Sequence, residues 1–308
     1  MNEIVKGQII EVVGSDNVYD NEPMSKHTTF KVGGLADLFV IPQGIKEAAE
    51  IVRLLLTNKE EFYVMGNGSN LLVSDKGYRG CVVCISKGMD YVRVDGNIIT
   101  AGAGAILSKV AVAACDNNLD GMAFAAGIPG SVGGAVYMNA GAYGGEMKNV
   151  IKNVTVYDMN QQKIVNLSND DMEFGYRYSI AKSRPMVILE ATYELKPGDS
   201  EAIRAEMNEL ATKRRDKQPL EYPSAGSTFK RPEGYFAGKL IEDAGLKGYT
   251  VGGAQVSQKH SGFVINIGGA TATDIITLIK NVRDIVKDKF DVILEPEVCM
   301  LGEDLDVL

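Results

Sequence analysis

No run in this chain approaches the ~18 consecutive apolar residues of a membrane-spanning helix. Met1 to Asn21 mixes charges with short apolar pieces where a signal peptide would be continuously apolar. Positive charge is in deficit as well: 32 lysines and arginines against 40 aspartates and glutamates leave a net charge of −8. That balance argues against a broad phosphate-binding surface for DNA or RNA. It leaves room for a phosphorylated small molecule, which needs only one or two local cations and some backbone amides. The chain has two histidines, His27 and His260, and four cysteines, Cys81, Cys84, Cys115 and Cys299. Four cysteines are too few for a disulfide scaffold of this length, and no His/Cys cluster has the spacing of a metal site. Cys81 and Cys84 form a C-x-x-C, but inside a segment, Gly80 to Ser86, that reads as a buried strand. Residues three apart on a strand point to opposite faces, so the pair is expected to serve core packing and not redox or metal chemistry. These absences predict a protein of the reducing cytoplasm with no nucleic-acid, membrane or metal partner.

What is present is ordinary for a globular enzyme: 308 residues, 45% hydrophobic and 23% charged. About two domains are expected, and a chain of this size hides roughly three quarters of its extended surface. Ala48, Ile51, Leu54 and Leu55 recur at helical spacing between Ile45 and Lys59, and Phe62 to Met65 follows as a short strand. Strand-like pieces then come quickly, at Leu71 to Val73, Cys81 to Ile85, Tyr91 to Val94 and Ile98 to Ala101, before a helix from near Ile106 towards Asn117. Val150 to Glu194 is again strand-rich. Around Lys196 to Ser200 the texture changes, and a charged helix from about Glu201 to Lys217 stops at Gln218-Pro219. Thr271 to Phe290 is a strong amphipathic helix, with Thr271 and Asp274 resembling a capping box. A last strand is expected at Val292 to Leu294. The class is α+β, with a boundary near residue 200.

Two glycine-rich segments look built for a pyrophosphate. Gly66-Asn67-Gly68-Ser69-Asn70 follows a strand directly; its glycines let backbone amides approach an anion, and its Asn and Ser side chains add donors. Gly127-Ile128-Pro129-Gly130-Ser131-Val132-Gly133-Gly134 combines a Pro-Gly turn with small residues and runs on to Asn139. Neither fits the G-x-G-x-x-G fingerprint, since Leu71 stands where its third glycine would be, and there is no P-loop. Two such loops in a chain with 34 glycines favour a nucleotide cofactor over a mere pair of tight turns, without naming it.

Read together, seven segments resemble the UDP-N-acetylenolpyruvoylglucosamine reductases, also called UDP-N-acetylmuramate dehydrogenases. They are Thr28 to Gly34, Gly66 to Asn70, Gly127 to Gly145, Phe174 to Ser179, Ser224 to Pro232, Gly252 to Ala254 and Leu294 to Val298. No single motif decides; their order and spacing over about 270 residues carry the resemblance. It implies non-covalent FAD between two α+β parts of the vanillyl-alcohol-oxidase type, with a separate α+β substrate domain. The expected parts are 1–68 joined by 291–308, then 69–199, and 200–290 for the substrate. The short spacing between Ser179 and Lys196 resembles the subtype that lacks an inserted loop.

The resemblance also implies a reaction: NADPH reduces FAD, and the reduced flavin gives hydride to C3 of an enolpyruvyl ether on a UDP-amino sugar while C2 is protonated. Hydride addition pushes charge onto C2 and the carboxylate, so a cation or acid aimed there should dominate catalysis. By resemblance Ser227 is the proton donor; from the residues alone it reads as a turn-capping hydroxyl. Glu297 is carried over as its partner, acting in protonated form beside a substrate carboxylate, against the alternative of an exposed carboxylate at a strand end. Arg177 matches the arginine that stabilises the intermediate, against a surface ion pair. Lys217 falls where a cation for substrate is expected, against a solvated helix-end lysine, and Tyr176 is a further candidate for that pocket. The cofactor residues carried over are Gly66, Asn67, Gly68, Ser69, Asn70, Gly127, Ile128, Pro129, Gly130, Ser131, Gly133, Gly134 and Asn139.

One departure concerns Cys299, which stands where relatives often have arginine; its task would then pass to another cation such as Arg231, itself at a position where some relatives carry asparagine. His27 reads as structural and His260 as a surface or packing residue, with the pocket as its alternative. A monomer or weak oligomer is expected, working in peptidoglycan precursor synthesis and so in cell-wall biogenesis, cell shape and division. The competing readings are another FAD oxidoreductase of the same superfamily and a non-catalytic flavin- or nucleotide-sugar-binding protein.

Overall fold

The computed structural model describes residues 1–305. The end of the expected C-terminal return, 306–308, lies outside the described residues. The chain divides into two compact units, one of Met1–Asp20, Leu38–Asn67 and Gly80–Lys213, the other of Asn21–Asp37, Gly68–Arg79 and the chain from Arg214 onward.

The first unit has two sheets. A four-stranded sheet runs in the order Val18–Pro23, Leu35–Val40, Tyr78–Cys84, Phe62–Met65, and its last two strands pair in parallel. Helix α1 (Glu3–Val13) covers it with Val5, Ile9 and Val13, and α2 (Ile45–Thr57) with Ile51, Leu54 and Leu55. Helix α1 escaped the sequence reading because only every fourth residue is a buried apolar one, too thin a stripe to register as a face. The strand alternation puts Cys81 and Val83 into this helix-facing core, while the Cys84 thiol lies 3.2 Å from Ser86 Oγ instead. Burial pushes the Cys81 thiol up to about 12 and the Cys84 thiol in the same direction, so both stay protonated. The expectation of core packing for this C-x-x-C holds.

The second sheet of this unit is antiparallel, in the order Lys163–Ser168, Ile151–Asp158, Met186–Glu194, Ile98–Gly102, Val92–Asp95. Period-two burial along Met186–Glu194 sends Val187, Leu189, Ala191 and Tyr193 into the core. There they meet Leu107, Val110, Ala111 and Ala114 of α3 (Leu107–Asp116) and Val132, Ala135 and Val136 of α4 (Val132–Tyr137). Helix α5 (Ser200–Lys217) adds Ile203 and Met207 to that core from an otherwise charged surface.

The second unit holds an antiparallel sheet in the order Ser224–Ser227, Phe263–Asn266, Ala254–Val256, Thr250–Val251. Helices α6 (Ala237–Asp243) and α7 (Ala272–Phe290) pack on it; Ile275, Leu278, Ile279, Val282 and Val286 of α7 share a core with Val256, Val264, Leu240 and Ile241. The capping box forms as read: Thr271 Oγ1 accepts from the Asp274 N–H and Asp274 Oδ2 from the Thr271 N–H, both at 3.0 Å. The strand expected at Val292–Leu294 is irregular chain. Leu294 is fully buried, but its carbonyl accepts from Arg283 Nε at 3.0 Å and not from a neighbouring strand. The strand comes later, at Cys299–Leu301, paired in parallel with Leu71–Val73.

A second cap on α7 comes from a residue remote in sequence. Asp75 accepts from the Ala272 N–H (2.7 Å), the Thr273 N–H (2.9 Å) and Thr273 Oγ1 (2.8 Å), satisfying first-turn donors and complementing the helix dipole. Replacing Asp75 by Ala is expected to remove about 1 kcal/mol of stability, read in urea titration as a lower midpoint at unchanged slope.

Candidate active site

Within the first unit Gly66 and Asn67, which open the first glycine-rich segment, meet the second one. A Cβ on Gly66 would collide with Ser131 Oγ, and Asn67 Nδ2 donates to Pro129 O at 3.4 Å, across 62 residues of sequence. Ser131 is 2% exposed and caps α4, its Oγ accepting from the Gly134 N–H. The flanking chain is fastened to the antiparallel-sheet core by Val132 N–H to Ala105 O and Gly133 N–H to Ala103 O, each 2.8 Å, and by Leu107 N–H to Gly130 O at 2.9 Å. Gly127, Pro129 and Gly134 remain exposed. Among the described residues the amides of Asn67, Gly68, Ser69 and Asn70 have no protein acceptor. Four consecutive unengaged N–H groups are the donor set that an anion completes.

Arg177 and Tyr176 occupy the tip of a two-residue hairpin in the same unit. Gly175 and Tyr178 exchange both backbone hydrogen bonds, at 3.0 and 3.2 Å. Arg177 has φ +52°, lies 5.2 Å over the exposed Tyr176 ring, and extends Nη2 to Gly141 O at 3.5 Å. Asn139, expected among the cofactor residues, is 1% exposed and has its side chain engaged inside the protein.

Ser227 and Glu297 belong to the second unit, where the chain just after the Ser227 strand pairs with the irregular segment that carries Glu297. Glu297 N–H donates to Thr228 O and Lys230 N–H to Glu295 O, each at 2.8 Å, around a bridge between Phe229 and Pro296. Thr228 is fully buried; its N–H donates to Gly262 O at 2.8 Å and its Oγ1 accepts from the Val264 N–H at 2.9 Å. Among the described residues Ser227 Oγ, half-buried, donates only a long 3.3 Å bond to Phe229 O, and the preceding Gly226 (φ +78°) has nothing within 4 Å of where a Cβ would stand. Asn70 joins this arrangement through its side chain, Nδ2 to Glu297 O at 3.1 Å, and through its carbonyl, which accepts from Cys299 N–H at 3.0 Å.

Of the other candidates, Lys217 ends α5, exposed and without an ion pair among the described residues. Arg231 donates from Nε to Tyr235 O at 3.3 Å and lies 3.9 Å over the exposed Phe236 ring. His260 packs edge-on against Phe263 at 4.9 Å and accepts from the Gly262 N–H; burial holds its imidazole below the ordinary range. Thr29 was not singled out from sequence. It donates from Oγ1 to Ser224 O at 2.6 Å and from its N–H to Gly68 O at 3.2 Å, tying a glycine loop to the Ser227 strand. The Thr28-Thr29-Phe30 motif was the available signal, but a threonine bridge depends on what folds against it.

Two family models match the chain. Residues 36–168 match a model described as FAD binding domain, and residues 218–301 one described as UDP-N-acetylenolpyruvoylglucosamine reductase, C-terminal domain. The UDP-N-acetylenolpyruvoylglucosamine reductase of Caldanaerobacter subterraneus subsp. tengcongensis is 50% identical over 303 residues, covering 98% of this chain and 100% of that protein. The chain belongs to the UDP-N-acetylenolpyruvoylglucosamine reductase family. The Clostridium tetani member is 51% identical over 96% of either chain. The crystal structure of the Thermus caldophilus member shares 32% identity and superposes with a TM-score of 0.78 over 91% of this chain and 98% of that one. Both glycine-rich segments fall within the FAD-binding match and Ser227, Arg231 and Glu297 within the C-terminal match, while Tyr176, Arg177 and Lys217 lie outside both.

The residues present fit FAD: the bare amides of Asn67–Asn70 suit a pyrophosphate. Gly66→Ala tests the packing of the two segments. Its Cβ against Ser131 Oγ is expected to cost on the order of 1–3 kcal/mol and to weaken flavin retention. Adding Ser131→Ala removes the colliding atom, so the double variant should hold flavin better than Gly66→Ala alone, by absorbance of the gel-filtered protein.

Proposed function

We propose that this chain catalyses the NADPH-dependent, FAD-mediated reduction of UDP-N-acetylglucosamine enolpyruvate to UDP-N-acetylmuramate, a step of peptidoglycan precursor synthesis in the cytoplasm. The observation that carries the reading is the backbone pairing of the chain just after Ser227 with the Glu295–Glu297 segment, together with the weakly engaged Ser227 hydroxyl, which supports both candidates serving one site in this unit. Kinship at about half identity over nearly the whole chain supports the substrate.

Bound FAD supplies the hydride relay between NADPH and the alkene. Hydride arriving at C3 leaves the electron pair of the former double bond on C2 and its carboxylate. The Arg177 guanidinium opposes that charge, an interaction of a few kcal/mol when the partner is preorganised. Ser227 delivers its proton to C2, and its 3.3 Å bond to Phe229 O is long enough to be given up readily. Glu297, protonated, shares the charge. Lys217 and Arg231, with Tyr176, hold the anionic substrate, Arg231 answering for the missing arginine at Cys299. The working form is a monomer or weak oligomer.

The test is anaerobic. One equivalent of NADPH should bleach the flavin of the purified protein, and UDP-N-acetylglucosamine enolpyruvate should restore the oxidised spectrum with UDP-N-acetylmuramate formed. Bleaching without recovery would make the protein a different FAD oxidoreductase; absence of flavin would leave a binding module. Ser227→Ala is expected to keep flavin and its reduction by NADPH while slowing substrate-dependent reoxidation by about 10²–10⁴-fold. Normal turnover in that variant removes Ser227 from the mechanism.

A further inference from the structure

Asn139 has a left-handed backbone (φ +42°), which asparagine tolerates better than most residues. Its Nδ2 donates to Glu146 Oε2 at 2.8 Å and to Gly175 O at 2.9 Å, and its Oδ1 accepts from the Lys148 N–H at 2.9 Å. The reversed amide would set an oxygen against a carboxylate and a carbonyl and an NH₂ against an N–H, so the network determines its orientation. Each partner lies on or beside a hairpin. Gly141–Ala142 pairs with Gly145–Glu146 about a turn of Tyr143 and Gly144, both at positive φ (52° and 89°). This is the tight two-residue form that matches strand twist. Gly175 is the base of the Arg177 hairpin, and Arg177 Nη2 reaches back to Gly141 O. Asn139 thus grips the Arg177 hairpin at its base while the arginine touches the neighbouring hairpin at its tip.

We propose that Asn139 is a positioning residue for Arg177, locking the two hairpins together and so aiming the guanidinium, and that it contacts neither cofactor nor substrate. The proposal rests on the reading of Arg177 given above. Without the amide, the half-buried Gly175 carbonyl, the Lys148 N–H and one Glu146 oxygen lose their shared partner. A two-residue hairpin has no internal means of keeping its direction.

The experiment compares Asn139→Ala, Arg177→Ala, their double variant and Asn139→Asp in the full-length flavin-loaded protein, by flavin content, thermal midpoint, NADPH-driven bleaching and substrate-driven reoxidation. Asn139→Ala should keep flavin and normal bleaching yet reoxidise about 100-fold more slowly, the scale of an ångström misplacement. In the Arg177→Ala background the same change should add less than about twofold, since residues acting as one unit are not additive. In Asn139→Asp the new carboxylate is buried and faces Glu146, itself paired with the Lys148 ammonium at 2.7 Å; burial together with the like charge raises its pKa. Reoxidation should therefore recover as the pH falls towards about 5 and the acid can donate again, a profile absent in the parent. This variant carries the test if Asn139→Ala loses its flavin. Normal reoxidation in Asn139→Ala, full additivity with Arg177→Ala, or a flat profile in Asn139→Asp overturns the proposal alone. Normal reoxidation in Arg177→Ala overturns the reading beneath it.

Discussion

Two backbone hydrogen bonds, Glu297 N–H to Thr228 O and Lys230 N–H to Glu295 O, each 2.8 Å, tie a segment near the end of the chain to the strand that carries Ser227. Each is worth only about 1 kcal/mol net, but together with the bridge at Phe229 and Pro296 they set the register that pairs the backbone of Glu297 with Thr228, next to Ser227 in the chain. The rest of the second unit's site is built outward from them. Fully buried Thr228 anchors the strand to Gly262 and Val264, and the parallel pairing of Cys299–Leu301 with Leu71–Val73 brings in the end of a glycine-rich loop. Thr29 closes the arrangement from the other side, holding Gly68 and Ser224 at once.

The same device recurs in each unit. An asparagine at the edge of a glycine-rich segment uses its amide to grip the backbone beside a charged candidate: Asn70 on the Glu297 carbonyl, Asn139 on Gly175 near Arg177. Glycine brings backbone amides into the open, and asparagine bonds neighbouring chain without needing charge. A loop that binds a flavin and a loop that carries a catalytic group can then share one rigid support.

Kinship and geometry contribute different things. Identity near one half across almost the whole chain establishes the family, whereas the unengaged amides of Asn67–Asn70 supply the physical case that this chain's residues suit an anionic cofactor. Cys299 shows the limit of transfer by likeness: here that position opens a strand bonded to Asn70, so the backbone pairing persists whatever side chain it carries.

Local chemistry alone determined the helices with a broad apolar stripe, α2 and α7, the capping box at Thr271 and Asp274, the opposed faces of Cys81 and Cys84, and the two loops where glycine frees the backbone. These depend on residues within a turn or two of one another, so periodicity and short-range hydrogen bonding suffice to read them. The tertiary structure alone decided that the last strand forms at Cys299–Leu301 and not at Val292–Leu294, that Asp75 caps a helix far along the chain, and that Gly66 lies against Ser131. It also decided that Asn139 faces inward. The reason is common to all four: a strand needs an edge to pair with and a polar side chain needs a partner, and both partners lie too far away in sequence for composition or spacing to announce them.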